Sequence, residues 1–181
     1  MQLIKNLKEF SLVKSFFLAV VGTILLAISA KVKIPFWPVP MTMQTFVVLL
    51  IGIIYGWKLG LFTVSLYLLE GISGLPVFAG TPEKGIGLVY FTGPTMGYLM
   101  GFLVAVLFTG LFNFNNNIFK NFFKLLFSVS FIYIFGLIWL GYIIGWDKPI
   151  YEFGAQPFLL AELFKIALLS ILIPKILKFK I

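Results

Sequence analysis

Apolar residues fill the chain in six runs, from about Lys14 to Ala30, Met41 to Tyr55, Leu59 to Ile72, Val89 to Phe112, Leu125 to Trp146 and Phe158 to Leu177. The runs predict helices in lipid, where a perpendicular crossing needs roughly 20 apolar residues. Several fall short of that length, so interior or locally irregular helices are expected rather than six uniform rods. The breaks have physical causes. After the first run comes KVKIPFWPVP, in which Pro35, Pro38 and Pro40 forbid a continuing helix. GWKLG separates the second run from the third, and the Gly- and Pro-rich GLPVFAGTPEKGIG predicts a loop or a re-entrant segment. The pattern therefore predicts an all-α, polytopic membrane protein with six transmembrane helices, a single integral membrane domain over residues 1–181.

Composition strengthens this expectation. Of 181 residues, 61% are hydrophobic, 18% aromatic and only 11% charged, against about 25% charged residues in soluble domains. Mean hydropathy is +1.08. With no Cys and no His, thiol nucleophiles, disulfides, imidazole bases and nearly all zinc sites are excluded. The net charge of +8 comes from Lys alone, mostly in the connectors. Nucleic-acid binding would favour Arg forks on a solvated face, so the lysines are read as topology signals. If the N-terminus is cytoplasmic, Lys5, Lys8, Lys14, Lys58, Lys120, Lys124, Lys175, Lys178 and Lys180 share that side, against Lys31, Lys33, Lys84 and Lys148 on the other. The positive-inside rule then places both termini in the cytoplasm. Lys5, Lys8 and Lys14 ahead of an apolar run that ends at Ala27, Ile28 and Ser29 imitate a secretory signal. An uncleaved first helix is the expectation, since five further runs hold the product in the membrane in any case. Connectors 31–40, 73–90 and 147–157 fall on the outer side, where they form either a site mouth or ordinary connections.

Candidate chemistry is confined to a few polar residues inside the apolar runs. Glu162 and Lys165, in FLLAELFKIALL, stand at i, i+3 and share one helix face. A charge at mid-membrane costs roughly 2.5–3.5 kcal/mol on insertion scales, so such residues turn inward and find partners. The pair either neutralises itself or offers acceptor oxygens beside an ammonium donor to a small ligand carrying both N–H and C=O groups. Gln44, in PVPMTMQTF, is suited to bonding another helix or a ligand, and Glu70 closes the third run near an interface. Ala19, Thr23 and Ala27 recur every four residues on the first run, a narrow strip for close helix approach, within the chain or with a second protein. The sequence holds no GxxxxGK[ST] loop, metal motif or nucleophile elbow, so no catalytic residue, metal or cofactor is expected and any ATP-driven motor must be borrowed.

Four stretches bring a resemblance into view: PVPMTMQTFVVLLIG (38–52), GLPVFAGTPEKGIGLVYFTGPTMGYLMGF (74–102), WLGYIIGWDKP (139–149) and PFLLAELFKIAL (157–168). In order and spacing, from about residue 27 to residue 174, the chain resembles the BioY family, biotin-binding membrane subunits of energy-coupling factor (ECF) transporters. The resemblance implies a six-helix subunit of the bacterial plasma membrane that captures biotin from the outer side. It further implies partnership with a transmembrane coupling protein and two ATPases, although some relatives are thought to work without ATPases. The family's last helix carries Gly-Asp-x-x-Lys, whose Asp and Lys hold the vitamin's polar head; the matching residues here are Ala161, Glu162 and Lys165. Glu lengthens the carboxylate by one methylene and Ala adds a methyl. Met96 stands where the family usually shows Gly in GPTGGY. On this reading Glu162, Lys165 and Gln44 bind the substrate, Tyr90 and Tyr98 cover its apolar body, and the Ala19, Thr23, Ala27 strip docks the coupling protein. Two other classes stay open: a membrane enzyme acting on a lipid or isoprenoid, disfavoured by the missing catalytic clusters, and a non-catalytic assembly bundle in which the charges only neutralise each other.

Overall fold

The computed structural model describes residues 2–35, 37–83 and 85–177, with side chains from Leu12 onward. Of the lysines counted for orientation, Lys84, Lys178 and Lys180 lie outside the described residues, as do the side chains of Lys5 and Lys8. The chain is built from α1 (Gln2–Lys31), a two-residue strand β1 (Lys33–Ile34), β2 (Met41–Thr42), α2 (Gln44–Ile72), α3 (Leu88–Phe91), α4 (Met96–Leu111), α5 (Ile118–Ile144), α6 (Ile150–Gly154) and α7 (Gln156–Ile176). Segments Leu12–Lys31, Gln44–Ile72, Ile118–Ile144 and Gln156–Ile176 are long and apolar enough to cross a bilayer; Met96–Leu111 is apolar but shorter.

The second and third predicted runs meet inside α2, and Gly56 decides how. Its backbone adopts φ 69° and ψ 179°, outside the helical region, which glycine enters without steric penalty. Gln44 Nε2 donates to the Tyr67 hydroxyl at 2.8 Å, whereas a straight helix would hold these residues about 35 Å apart at 1.5 Å of rise each. A Cβ placed on Gly60 would lie 3.7 Å from the Gly52 Cα. The chain therefore folds back at Gly56 into two antiparallel limbs, and each of the six apolar runs contains helix.

Three features refine the pattern of runs. The fourth run is not one helix: Gly93 and Pro94 separate α3 from α4, because proline withdraws a backbone donor and restricts the residue before it. Between α1 and α2, β1 and β2 pair antiparallel with Lys33 opposite Thr42 and Ile34 opposite Met41. The strip on α1 faces inward: Ala19 and Thr23 are 0% and 2% exposed, and Ala27 is half-buried. Thr23 Oγ1 donates to Glu70 Oε1 at 2.9 Å, and the Tyr55 hydroxyl donates to the Leu18 carbonyl at 3.0 Å. A Cβ on Gly22 would come within 2.5 Å of Thr63 Cγ2. Thr23 thus seats α1 on α2, and Glu70 serves the same contact.

Without a hydrophobic drive between helices in lipid, close approach must supply dispersion and hydrogen bonding. The α4–α5 contact is built on this principle. A Cβ on Gly97 would meet the Phe135 carbonyl oxygen at 2.4 Å, one on Gly101 would meet Ile132 Cα at 2.5 Å, and one on Gly136 would strike the Tyr98 ring at 2.3 Å. Met96 is half-buried at the mouth of this contact. α5 begins at Asn117, whose side chain accepts from the Lys120 N–H at 2.9 Å, a standard helix N-cap. α7 begins with Pro157 in its first turn, where a missing N–H costs nothing.

Candidate ligand-binding site

α7 presents Glu162 and Lys165 to the first turn of α2 and the strand before it. Both are buried, 3% and 9% exposed. Lys165 Nζ donates to the Thr42 carbonyl at 2.7 Å, to Thr45 Oγ1 at 3.0 Å and to Glu162 Oε2 at 3.1 Å, which accounts for all three ammonium protons. Glu162 Oε2 also accepts from Thr45 Oγ1 at 3.0 Å and from the Tyr133 hydroxyl of α5 at 3.2 Å. Thr45 therefore bridges the ion pair, and the positive end of α2 lies beside the carboxylate. The other oxygen is treated differently: Glu162 Oε1 is buried and has no hydrogen-bond partner among the described residues. Leaving such an acceptor unpaired is unfavourable by about 1–3 kcal/mol, so Oε1 is open to a donor from outside the chain.

These groups sit at one end of a cavity of about 60 Å³ whose lining includes Gln44, Ala79, Tyr90, Tyr98 and Phe158. Of the residues singled out in the sequence, Glu162, Lys165, Gln44, Tyr90 and Tyr98 are brought together here. Gln44 holds the architecture through Tyr67, whose hydroxyl passes the bond on to the Val77 carbonyl at 2.9 Å. Tyr98 gives its hydroxyl to the Gly154 carbonyl at 2.8 Å, so it offers the cavity its ring. Tyr90 stacks on Phe78 with centroids 4.8 Å apart, at 25°. Burial pushes the Tyr90 phenol up, against hydrogen bonds with the Thr95 side chain and Gly80 backbone that pull it down, so it remains a proton donor at neutral pH. Ala161 is half-buried, so its extra methyl meets no fully closed wall.

Sequence reasoning missed Thr45 and Tyr133, which complete the shell of Glu162, and the Thr42 carbonyl. The one signal for any of them was position, since Thr45 follows Gln44 directly. Tyr133 and Glu162 also line a second, wholly apolar groove of about 350 Å³ between α5 and α7, with Leu126, Val129, Leu163 and Ile166. These two residues therefore line both cavity and groove.

Chemically, the arrangement can accept an N–H at Glu162 Oε1, donate from Lys165 to an oxygen that competes with the Thr42 carbonyl, and enclose an apolar body between aromatic rings. It offers a ligand recognition on two sides.

The family model described as the BioY family matches residues 3–180. A protein of Pyrococcus horikoshii described as "Probable biotin transporter BioY" is 32% identical over 160 residues, covering 88% of this chain and 90% of that protein. "Biotin transporter BioY" of Thermotoga maritima is 46% identical over 77 residues, 42% of this chain and 44% of that protein. In three dimensions, the crystal structure of the S-component for biotin from an ECF-type ABC transporter superposes with a TM-score of 0.77 at 25% identity, covering 93% of both chains. With a family model spanning residues 3–180 and a relative aligned over most of both chains, this chain belongs to the BioY family.

Proposed function

We infer that the chain is a biotin-uptake protein, the S-component that binds the vitamin in the membrane for an ECF-type transporter. The observation that carries this reading is the half-satisfied carboxylate of Glu162 beside Lys165 in an aromatic-walled cavity. Biotin has a urea-like ring with two N–H donors and one carbonyl, an apolar bicyclic body and an acidic tail. Glu162 Oε1 accepts a ring N–H, Lys165 donates to the ring carbonyl, and Tyr90 and Tyr98 flank the bicycle. No redox or acid-base step is required, in keeping with a transport protein.

Equilibrium binding of labelled biotin to purified protein tests this. Micromolar or tighter binding is expected, and Glu162→Gln should weaken it at least tenfold, about 1.4 kcal/mol, because the amide presents an N–H toward the ligand's own donor. Millimolar binding by the unaltered protein would sink the reading.

The apolar helices make this a multi-pass membrane protein. Six crossings, cytoplasmic termini and a plasma-membrane location are our proposal, supported by six helical runs and the lysine bias. A reporter fused at Glu83 should read as external; a cytoplasmic signal would invert the topology. We propose that a transmembrane coupling protein and ATPases supply the motor, since the sequence has no phosphate-binding loop. Solitary uptake is the second reading, and transport by the chain alone in a host lacking the coupling module would favour it.

A further inference from the structure

The segment from Val77 to Thr81 roofs the cavity, with Ala79 in the lining and Phe78 buried against Tyr90. It has no helix or strand of its own, and although Thr81 Oγ1 donates to the Phe78 carbonyl at 2.8 Å and the Tyr67 hydroxyl to the Val77 carbonyl at 2.9 Å, further carbonyl contacts come from charged side chains. Lys31, the last residue of α1, and Lys33 of β1 supply them. Lys31 Nζ donates to the Phe78 carbonyl at 3.0 Å, the Thr81 carbonyl at 3.1 Å and Thr81 Oγ1 at 3.2 Å. Lys33 Nζ donates to the Ala79 carbonyl at 3.0 Å and pairs with Glu83 at 3.6 Å. The Lys31 ammonium is thus fully committed to the roof. It does more than mark one side of a membrane.

The same two-residue ribbon reaches the ion pair. Lys33 of β1 pairs with Thr42 of β2, and the Thr42 carbonyl accepts from Lys165. Roof, ribbon and buried ammonium form one bonded path from outside to inside. A ligand oxygen that draws Lys165 away from Thr42 acts on the strand to which the Lys33 latch is paired.

We propose that Lys31 and Lys33 are positioning residues that latch the 77–81 segment over the cavity and so set how long a ligand is retained. Identifying that ligand as biotin rests on the function proposed above; the latch itself does not. Neither lysine lines the cavity, so their removal should change release without removing a ligand contact.

Because the chain contains no Cys, Ala79→Cys introduces a single thiol beneath the roof. Its labelling by a membrane-impermeant thiol reagent should accelerate about tenfold when Lys31→Met and Lys33→Met are added, and Lys31→Arg with Lys33→Arg should restore slow labelling. In the protein without the added thiol, the double Met variant should release labelled biotin about tenfold faster with an association rate changed less than threefold. The ligand-free melting temperature should stay close to that of the unaltered protein, which a purely structural role would lower. Unchanged labelling overturns the latch, and faster labelling with unchanged release overturns its control of retention. If the unaltered protein fails to bind biotin, the function proposed above falls, while the labelling rates still decide the latch.

Discussion

Lys165→Met is expected to abolish useful biotin binding and also to destabilise the fold, by about 3–5 kcal/mol. Two losses coincide. The ligand loses a charged donor, worth about 1.5–3 kcal/mol, or roughly ten- to a hundredfold in affinity. Glu162 loses its counter-charge while staying 3% exposed, and a buried carboxylate stripped of its partner is far less favourable than a neutral pair. Thermal unfolding in detergent, read beside biotin binding, separates the two. Adding Glu162→Leu should return most of the stability, because an apolar replacement for both partners leaves no buried charge, and should return none of the binding. A Lys165→Met, Glu162→Leu protein that is stable and still binds biotin at the original affinity would show that the pair is structural and that the site lies elsewhere.

Gly101→Leu is expected to have a comparable effect on folding through a different cause. Its Cβ alone would stand 2.5 Å from Ile132 Cα and 3.0 Å from the Phe131 carbonyl oxygen. Both obstacles are backbone of α5, which cannot rotate away as a side chain would. α4 would have to separate from α5, and that contact also sets the Tyr98 and Tyr133 rings 6.3 Å apart beside the cavity. Gly101→Ala should lose at least the roughly 1–3 kcal/mol typical of overpacking, and Leu should leave little folded protein. Gly56→Ala is the natural control, because a Cβ there meets nothing within 4 Å and the penalty is confined to its positive φ. Equal melting temperatures for Gly101→Leu and the unaltered protein would refute the close-packed reading.

What could be read from the sequence followed the physics of lipid. Once water is absent, long apolar runs are stable only as helices and a charge pair at one-turn spacing must turn inward, so the helices, the inward face of α7 and its pairing were legible. So was the reversal between the second and third runs, from Gly56 and the charged Lys58 beside it. Features that depend on which helix meets which were not legible. Ala19 and Thr23 fit a partner helix and a neighbouring limb equally well, since small residues specify distance and not identity. Thr45 and Tyr133 are single hydroxyls in apolar runs, and only the fold shows that both converge on Glu162 Oε2. The roles of Lys31 and Lys33 were hidden for a similar reason: a charge tally records the side of the membrane and says nothing of the carbonyl groups each ammonium meets.

Because Tyr133 and Glu162 line both the cavity and the groove, the surrounding bilayer has a part in recognition. Whatever fills the groove between α5 and α7, acyl chains in a cell or detergent tails in a tube, touches Glu162, the residue proposed to meet the ligand from the cavity side. Its polarisability and packing enter the dielectric that the ion pair experiences. Affinity for the vitamin is accordingly a property of protein and solvent together, and lipid composition is a variable of the site in the same sense as a substitution within it.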